Sequence, residues 1–117
     1  AAIVLGGAMD GRAFLLKKTE VNIGRTDTEK PVQENPSDDI VLSGEYTAVT
    51  RLSHPHGRLI LDKGAWFVED CGSTGGTLVN NKQIGRHTRV QVHDGDLLEL
   101  SKGINGVKLL MIIPPVS

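Results

Sequence analysis

No stretch of twelve or more residues keeps the i, i+3, i+4 apolar spacing of a helix without a glycine or proline breaking it. Turn residues instead recur about every 8–12 positions between short β-favouring runs, the spacing of an all-β sandwich or barrel. The runs are Ile3–Leu5, Ala13–Leu16, Val21–Ile23, Ile40–Leu42, Arg58–Leu61, Ala65–Glu69, Thr77–Val79, Lys82–Ile84, Thr88–Val92, Leu97–Leu100 and Val107–Ile113. Composition agrees, since 27 of 117 residues are β-branched Ile, Val or Thr. Only Phe14, Tyr46, Trp66 and Phe67 are aromatic, so the core must be built from aliphatic side chains. The expected fold is all-β: two twisted, mostly antiparallel sheets of about ten or eleven short strands.

Two long stretches interrupt this rhythm. Thr26–Asp39 is polar, holds Pro31 and Pro36, and is expected to be a loop. Ser43 to Pro55 is a second irregular segment. Asn80-Asn81 suits a tight turn, because Asn tolerates positive φ. Residues 1–113 are expected to form one domain, and 114–117, opened by Pro114-Pro115, a Pro-rich tail or linker. The first residue is not Met, so the chain is expected to be part of a larger protein.

Charge and length narrow the partners. Thirteen Lys and Arg face fourteen Asp and Glu, a formal net charge of −1, with no basic stripe of the kind that duplex binders use. No nucleic-acid partner is expected. The most apolar segment, Val107–Ser117, is broken by Lys108 and two prolines and falls short of the ~20 residues a membrane span needs, so no membrane insertion is expected. A single cysteine, Cys71, cannot close an internal disulfide, which favours a reducing, cytoplasmic setting.

Three polar loops carry the chemistry: Gly24-Arg25, Ser53–His56 and Gly72–Thr77. A sandwich gathers alternate loops at one end, so loops far apart in sequence can share a site. Arg25 offers a planar fork of donors suited to phosphate or carboxylate, Ser53 a hydroxyl, and Gly72–Thr77 hydroxyls and glycines that let a ligand approach the backbone. Each also has a plainer reading: Arg25 as a surface ion pair, Ser53 as a turn hydroxyl, the glycine loop as a hairpin. His54-Pro55-His56 lacks the nearby third and fourth ligands of a metal site, and none is expected. Cys71 has no base beside it in the sequence and is expected to be structural. Gly72–Thr77 lacks the Lys-Ser/Thr ending and helix of a nucleotide phosphate loop. With no carboxylate pair and no Ser-His-Asp set, no enzyme activity, catalytic residue or cofactor is expected.

The order of these loops resembles the forkhead-associated (FHA) domain, whose pattern is Gly-Arg, Ser-x-x-His, Ser-x-Asn-Gly-Thr and Val-Asn-Gly. Matching residues are Ile23-Gly24-Arg25, Ser53-His54-Pro55-His56-Gly57-Arg58-Leu59 and Asp70-Cys71-Gly72-Ser73-Thr74-Gly75-Gly76-Thr77-Leu78-Val79-Asn80, flanked by Asp39-Ile40-Val41-Leu42 and Asp94-Gly95-Asp96. The resemblance runs from about Ile3 to Ile113. It implies a module that binds phosphothreonine in a partner protein or peptide. Arg25 and Ser53 are expected to contact the phosphate and Thr74 to assist, with His54, Gly75 and Arg51 beside them. Gly24, His56, Gly76, Thr77 and Asn80 are expected to support the site.

Two positions depart from the pattern. Gly75 stands where the family has Asn, which normally holds the peptide backbone, and His54 replaces the usual Arg or Asn. An alternative register sets Thr50-Arg51 on the family's Ser-Arg. Gly57-Arg58-Leu59 favours the Ser53/His56 register, and Arg51 is expected to line the site in either. The departures leave open an alternative, a phosphate-independent interaction or self-assembly module on the same scaffold.

Overall fold

The computed structural model describes residues 1–26, 39–52, 54–103 and 105–114. Ser53, Ile104, most of the long polar loop and the tail beyond Pro114 therefore lie outside the described residues. The strands are β1 (Ala2–Leu5), β2 (Ala13–Phe14), β3 (Glu20–Arg25), β4 (Ile40–Leu42), β5 (Gly57–Asp62), β6 (Ala65–Asp70), β7 (Thr77–Val79), β8 (Lys82–Gln83), β9 (Arg89–Val92), β10 (Leu97–Leu100) and β11 (Val107–Met111). They form one sheet in the order β2-β1-β11-β10-β7-β8 and another in the order β4-β3-β5-β6-β9. The all-β expectation holds in architecture and in strand number.

Pairing is antiparallel except between β3 and β4, which run parallel with Ile23 opposite Ile40 and Arg25 opposite Leu42. A parallel neighbour needs a long crossover, which the polar stretch between these strands supplies. Several strands are shorter than the apolar runs suggest: β2 stops at Phe14 and β11 at Met111. A turn of 3-10 helix, Gly7–Met9, also sits between β1 and β2.

The core is aliphatic, as four aromatics require. Val21, Ile23, Leu59 and Val68 of one sheet and Leu98, Leu100, Leu109 and Met111 of the other are fully buried. Their two-residue spacing along each strand puts alternate side chains on the inner face, the pleat's own period. Phe14 and Trp66 pack against the edge of this cluster. Burying a Val, Leu or Ile contributes about 1.5–3 kcal/mol each, so the two inner faces hold the strand ends, and the loops they carry, in a defined arrangement.

The irregular segment between β4 and β5 is pinned from several sides. The Tyr46 hydroxyl accepts from the Met9 N–H at 2.8 Å and donates to the Gly6 carbonyl at 2.8 Å. Ala48 N–H donates to the Asn105 carbonyl at 3.0 Å. The loop is thus tied to the β1–β2 connection and to the β10–β11 connection.

Candidate functional site

Arg25 ends β3, and the β4–β5 loop folds back onto it. Its N–H donates to the Thr50 carbonyl and its carbonyl accepts from Leu52 N–H, both at 3.0 Å. These bonds set Arg25 and Arg51 in a parallel bridge. Gly24 permits the approach: a Cβ there would stand 2.6 Å from both Cα and N of Leu52, a contact that no side chain survives. The glycine predicted to shape the first loop therefore acts through backbone proximity.

The Arg25 guanidinium is held by one edge. Its Nε donates to the Val49 carbonyl at 2.6 Å. Its Nη1 is buried and has no hydrogen-bond partner, the one such side-chain atom among the described residues. A buried donor without an acceptor costs free energy, a cost the fold carries at this guanidinium nitrogen.

The second and third loops are joined by His56. It is fully buried; its Nδ1 accepts from Thr50 N–H at 3.2 Å and its Nε2 donates to the Gly76 carbonyl at 2.7 Å. Thr50 N–H can only donate, so the ring is the neutral Nε2–H tautomer. Burial holds the imidazole below the ordinary histidine value, against the upward pull of the Gly76 carbonyl and the Asp70 charge. With both nitrogens engaged, His56 has no lone pair for a metal, and no cluster of three or more His, Cys, Asp or Glu side chains suited to a metal exists among the described residues.

The third loop is built around Asp70, a residue the motif match includes without assigning it a role. Its Oδ1 accepts from Ser73 Oγ at 2.5 Å and Thr77 Oγ1 at 2.7 Å, and its Oδ2 accepts from the Gly72 and Ser73 amides at 3.1 and 3.2 Å. Ser73 Oγ in turn accepts from Gly76 N–H at 3.1 Å. Asp70, Ser73 and Thr77 are all buried. The spacing Asp-x-x-Ser-x-x-x-Thr is a local signal for such side-chain-to-backbone turns. Thr77 and Gly76 thus support the loop from beneath and leave Thr74 and Gly75 exposed at its tip.

These loops enclose an open cleft of about 660 Å³. Arg25, Arg51, His54, Thr74 and Gly75 all line it, joined by Thr47, Ala48, Val49, Thr50 and Ser101. The lining brings two guanidiniums and an imidazole to hydroxyls on three loops, with no carboxylate among the described lining residues. Such a surface selects an anion. Ser53 lies outside the described residues, while its neighbours Arg51 and His54 line the cleft. Asn80 sits elsewhere, at the opposite end of β7 from Thr77. Its side chain accepts from Leu97 N–H at 2.9 Å and donates to Asp96 at 3.0 Å, pinning the β7–β8 turn to β10.

Cys71 is half-buried and accepts from Arg58 Nε at 3.4 Å. No helix among the described residues is long and apolar enough to cross a membrane.

Three comparisons place this geometry among known proteins. A family model described as the FHA domain matches residues 21–101. The FHA domain-containing protein FhaB of Mycobacterium tuberculosis is 33% identical over 90 residues, covering 77% of this chain and 49% of that protein. FhaB of Mycolicibacterium smegmatis is 32% identical over the same length. The chain thus spans about half the length of these relatives. Among solved structures, one from a study of phosphothreonine-dependent FHA domain interactions superposes with a TM-score of 0.69 at 23% identity, covering 98% of this chain and 96% of that one. The N-terminal FHA domain of Rad53p from S. cerevisiae, in complex with a phosphothreonine peptide, gives 0.69 at 18% identity, covering 97% and 91%. At these identities the structures show a shared fold.

Proposed function

This chain belongs to the FHA domain family, and from that premise we propose that it is a non-catalytic phosphopeptide-binding module that recognises phosphothreonine in a partner protein through the cleft at Arg25. The observation that carries the reading is the guanidinium of Arg25, fixed through Nε to Val49 on the lining of an open cleft that also holds Arg51 and Thr74. A phosphothreonine brings about −1.5 to −2 charges and three acceptor oxygens. Each charge-assisted hydrogen bond contributes ~1.5–3 kcal/mol, so a few donors suffice on a chain with almost no net charge.

In this proposal Arg25 and Ser53 hold the phosphate, Thr74 adds its hydroxyl or N–H, Arg51 supplies positive potential at the rim and His54 offers a ring N–H. Residues 1–113 act as one domain within a larger protein. The half-buried, unpaired Cys71 supports a reducing, cytoplasmic setting.

The test is binding of a phosphothreonine peptide against its unphosphorylated and phosphoserine twins. Tight binding to the first and weak binding to the other two supports the proposal. Equal affinity for all three overturns it and favours a phosphate-independent interaction module on the same scaffold.

A further inference from the structure

Resting on that peptide-binding reading, we infer that Ser101, in the connection between β10 and β11, is a peptide-contacting residue whose hydroxyl serves the ground that a side chain at position 75 cannot occupy. A Cβ built on Gly75 would lie 2.5 Å from the Cβ of Ser101 and 3.2 Å from its Cα, with Oγ closer still. The Ser101 side chain fills the space into which any residue at 75 would grow. Both residues line the same cleft as Arg25 and Thr74.

Two independent features of Ser101 point to a ligand. Its φ is +68°, the left-handed region that glycine enters freely and side-chain-bearing residues avoid. A glycine would make this turn with less strain, so what serine adds is its Cβ and hydroxyl. The residue is 7% exposed, and its Oγ, bonded to no group among the described residues, is not a buried orphan but keeps access to the cleft. Its backbone is settled: its N–H donates to the Gly76 carbonyl at 2.9 Å, which fixes the hydroxyl beside the Gly75 tip.

A hydroxyl both donates and accepts, and an extended peptide presents alternating N–H and C=O groups along its edge. Charge at the cleft comes from Arg25 and Arg51, so the neutral Ser101 hydroxyl bonds the peptide main chain. The β10–β11 connection is thereby a third wall of the site, held in place by Ala48 N–H on the Asn105 carbonyl. One polar group at this corner, on 75 or on 101, excludes the other.

The experiment starts from an immobilised degenerate library of phosphothreonine peptides, from which wild-type protein selects a tight binder. Affinity for that peptide and the melting midpoint are then measured for Ser101→Gly, for Gly75→Asn and for the double variant. Ser101→Gly is expected to melt no lower than wild type while binding about 3- to 10-fold more weakly, the loss of one neutral hydrogen bond. A purely structural serine would not separate the two readouts in this way. Gly75→Asn is expected to lower the midpoint, and adding Ser101→Gly to recover it.

Unchanged affinity in Ser101→Gly overturns the inference and leaves the phosphothreonine reading standing. Gly75→Asn that melts and binds as wild type overturns the exclusion of one residue by the other. Failure of wild-type protein to select any phosphothreonine peptide overturns both readings.

Discussion

The Nε2–H of His56 donates to the carbonyl of Gly76 at 2.7 Å, across twenty residues of sequence, and so ties the β4–β5 loop to the β6–β7 loop. Because Nδ1 of the same ring accepts from Thr50 N–H, one neutral imidazole sets the spacing between two walls of the cleft. A binding site made from separate loops needs such a strut, since anion geometry tolerates little slack.

Replacing the strut should cost stability and affinity together. His56→Ala leaves the Thr50 N–H without its partner, leaves the Gly76 carbonyl with Ser101 N–H alone and opens a cavity, so a loss of about 3 kcal/mol is expected. Chemical denaturation measures it, and a variant as stable as wild type would contradict the role.

The same ring makes stability depend on pH. Its folded pKa lies below the ordinary value, so the unfolded chain binds the proton more tightly than the folded one. This contribution is complete above about pH 6.5 and is lost as pH falls below that value toward the folded pKa. Denaturation midpoints should fall between about pH 7.5 and pH 5.5 in wild type. A variant with a non-titrating residue at 56 should show a smaller fall over the same interval. Parallel profiles would refute the assignment.

Arg25 divides positive charge from fork geometry. Arg25→Ala removes the fixed guanidinium, and phosphothreonine-peptide affinity should drop about 10- to 150-fold for each charge-assisted bond lost. Arg25→Lys keeps a charge but not the Val49-anchored fork, so affinity should remain well below wild type. Calorimetric titration with phosphorylated and unphosphorylated peptides separates these cases. Lysine equal to arginine would mean that bulk charge alone binds the ligand.

Asp70 should behave as a loop organiser. Asp70→Asn replaces a carboxylate that accepts four hydrogen bonds with a group that can accept at only one oxygen, and about 3 kcal/mol of stability should be lost. Amide hydrogen exchange should rise first at residues 72–77. Uniform exchange across the domain would indicate a purely global effect.

Gly24→Ala tests the backbone crossing. Its methyl would meet the Leu52 main chain at 2.6 Å, and a cost of about 1–3 kcal/mol is expected, with weaker phosphopeptide binding as the Arg51 segment shifts. Thermal melting and peptide titration on one preparation measure both.

Much of this molecule was legible in its residues taken in order. Alternating Val, Ile and Leu between glycine and asparagine turns encode strands one by one, because the pleat's two-residue period and the turns' backbone needs are local. The anion chemistry was legible as well, since guanidinium, imidazole and hydroxyl groups carry their donors wherever they stand. The bonding roles of Asp70, Ser73 and Tyr46 were not legible, because a short polar spacing or a lone tyrosine gains its meaning only when its partners are in place.

What tertiary structure alone decided is adjacency. That Gly24 lets Leu52 pass, that Arg25 keeps Nη1 without a partner, and that Ser101 stands where Gly75 has no side chain all depend on β3, β6 and β10 ending on one side of the sandwich. Asn80, adjacent to the motif in sequence, was carried to the other end of β7 by the same sheet. Residue types set which forces are available. The packing of two aliphatic faces sets which groups come within the few ångströms over which those forces act.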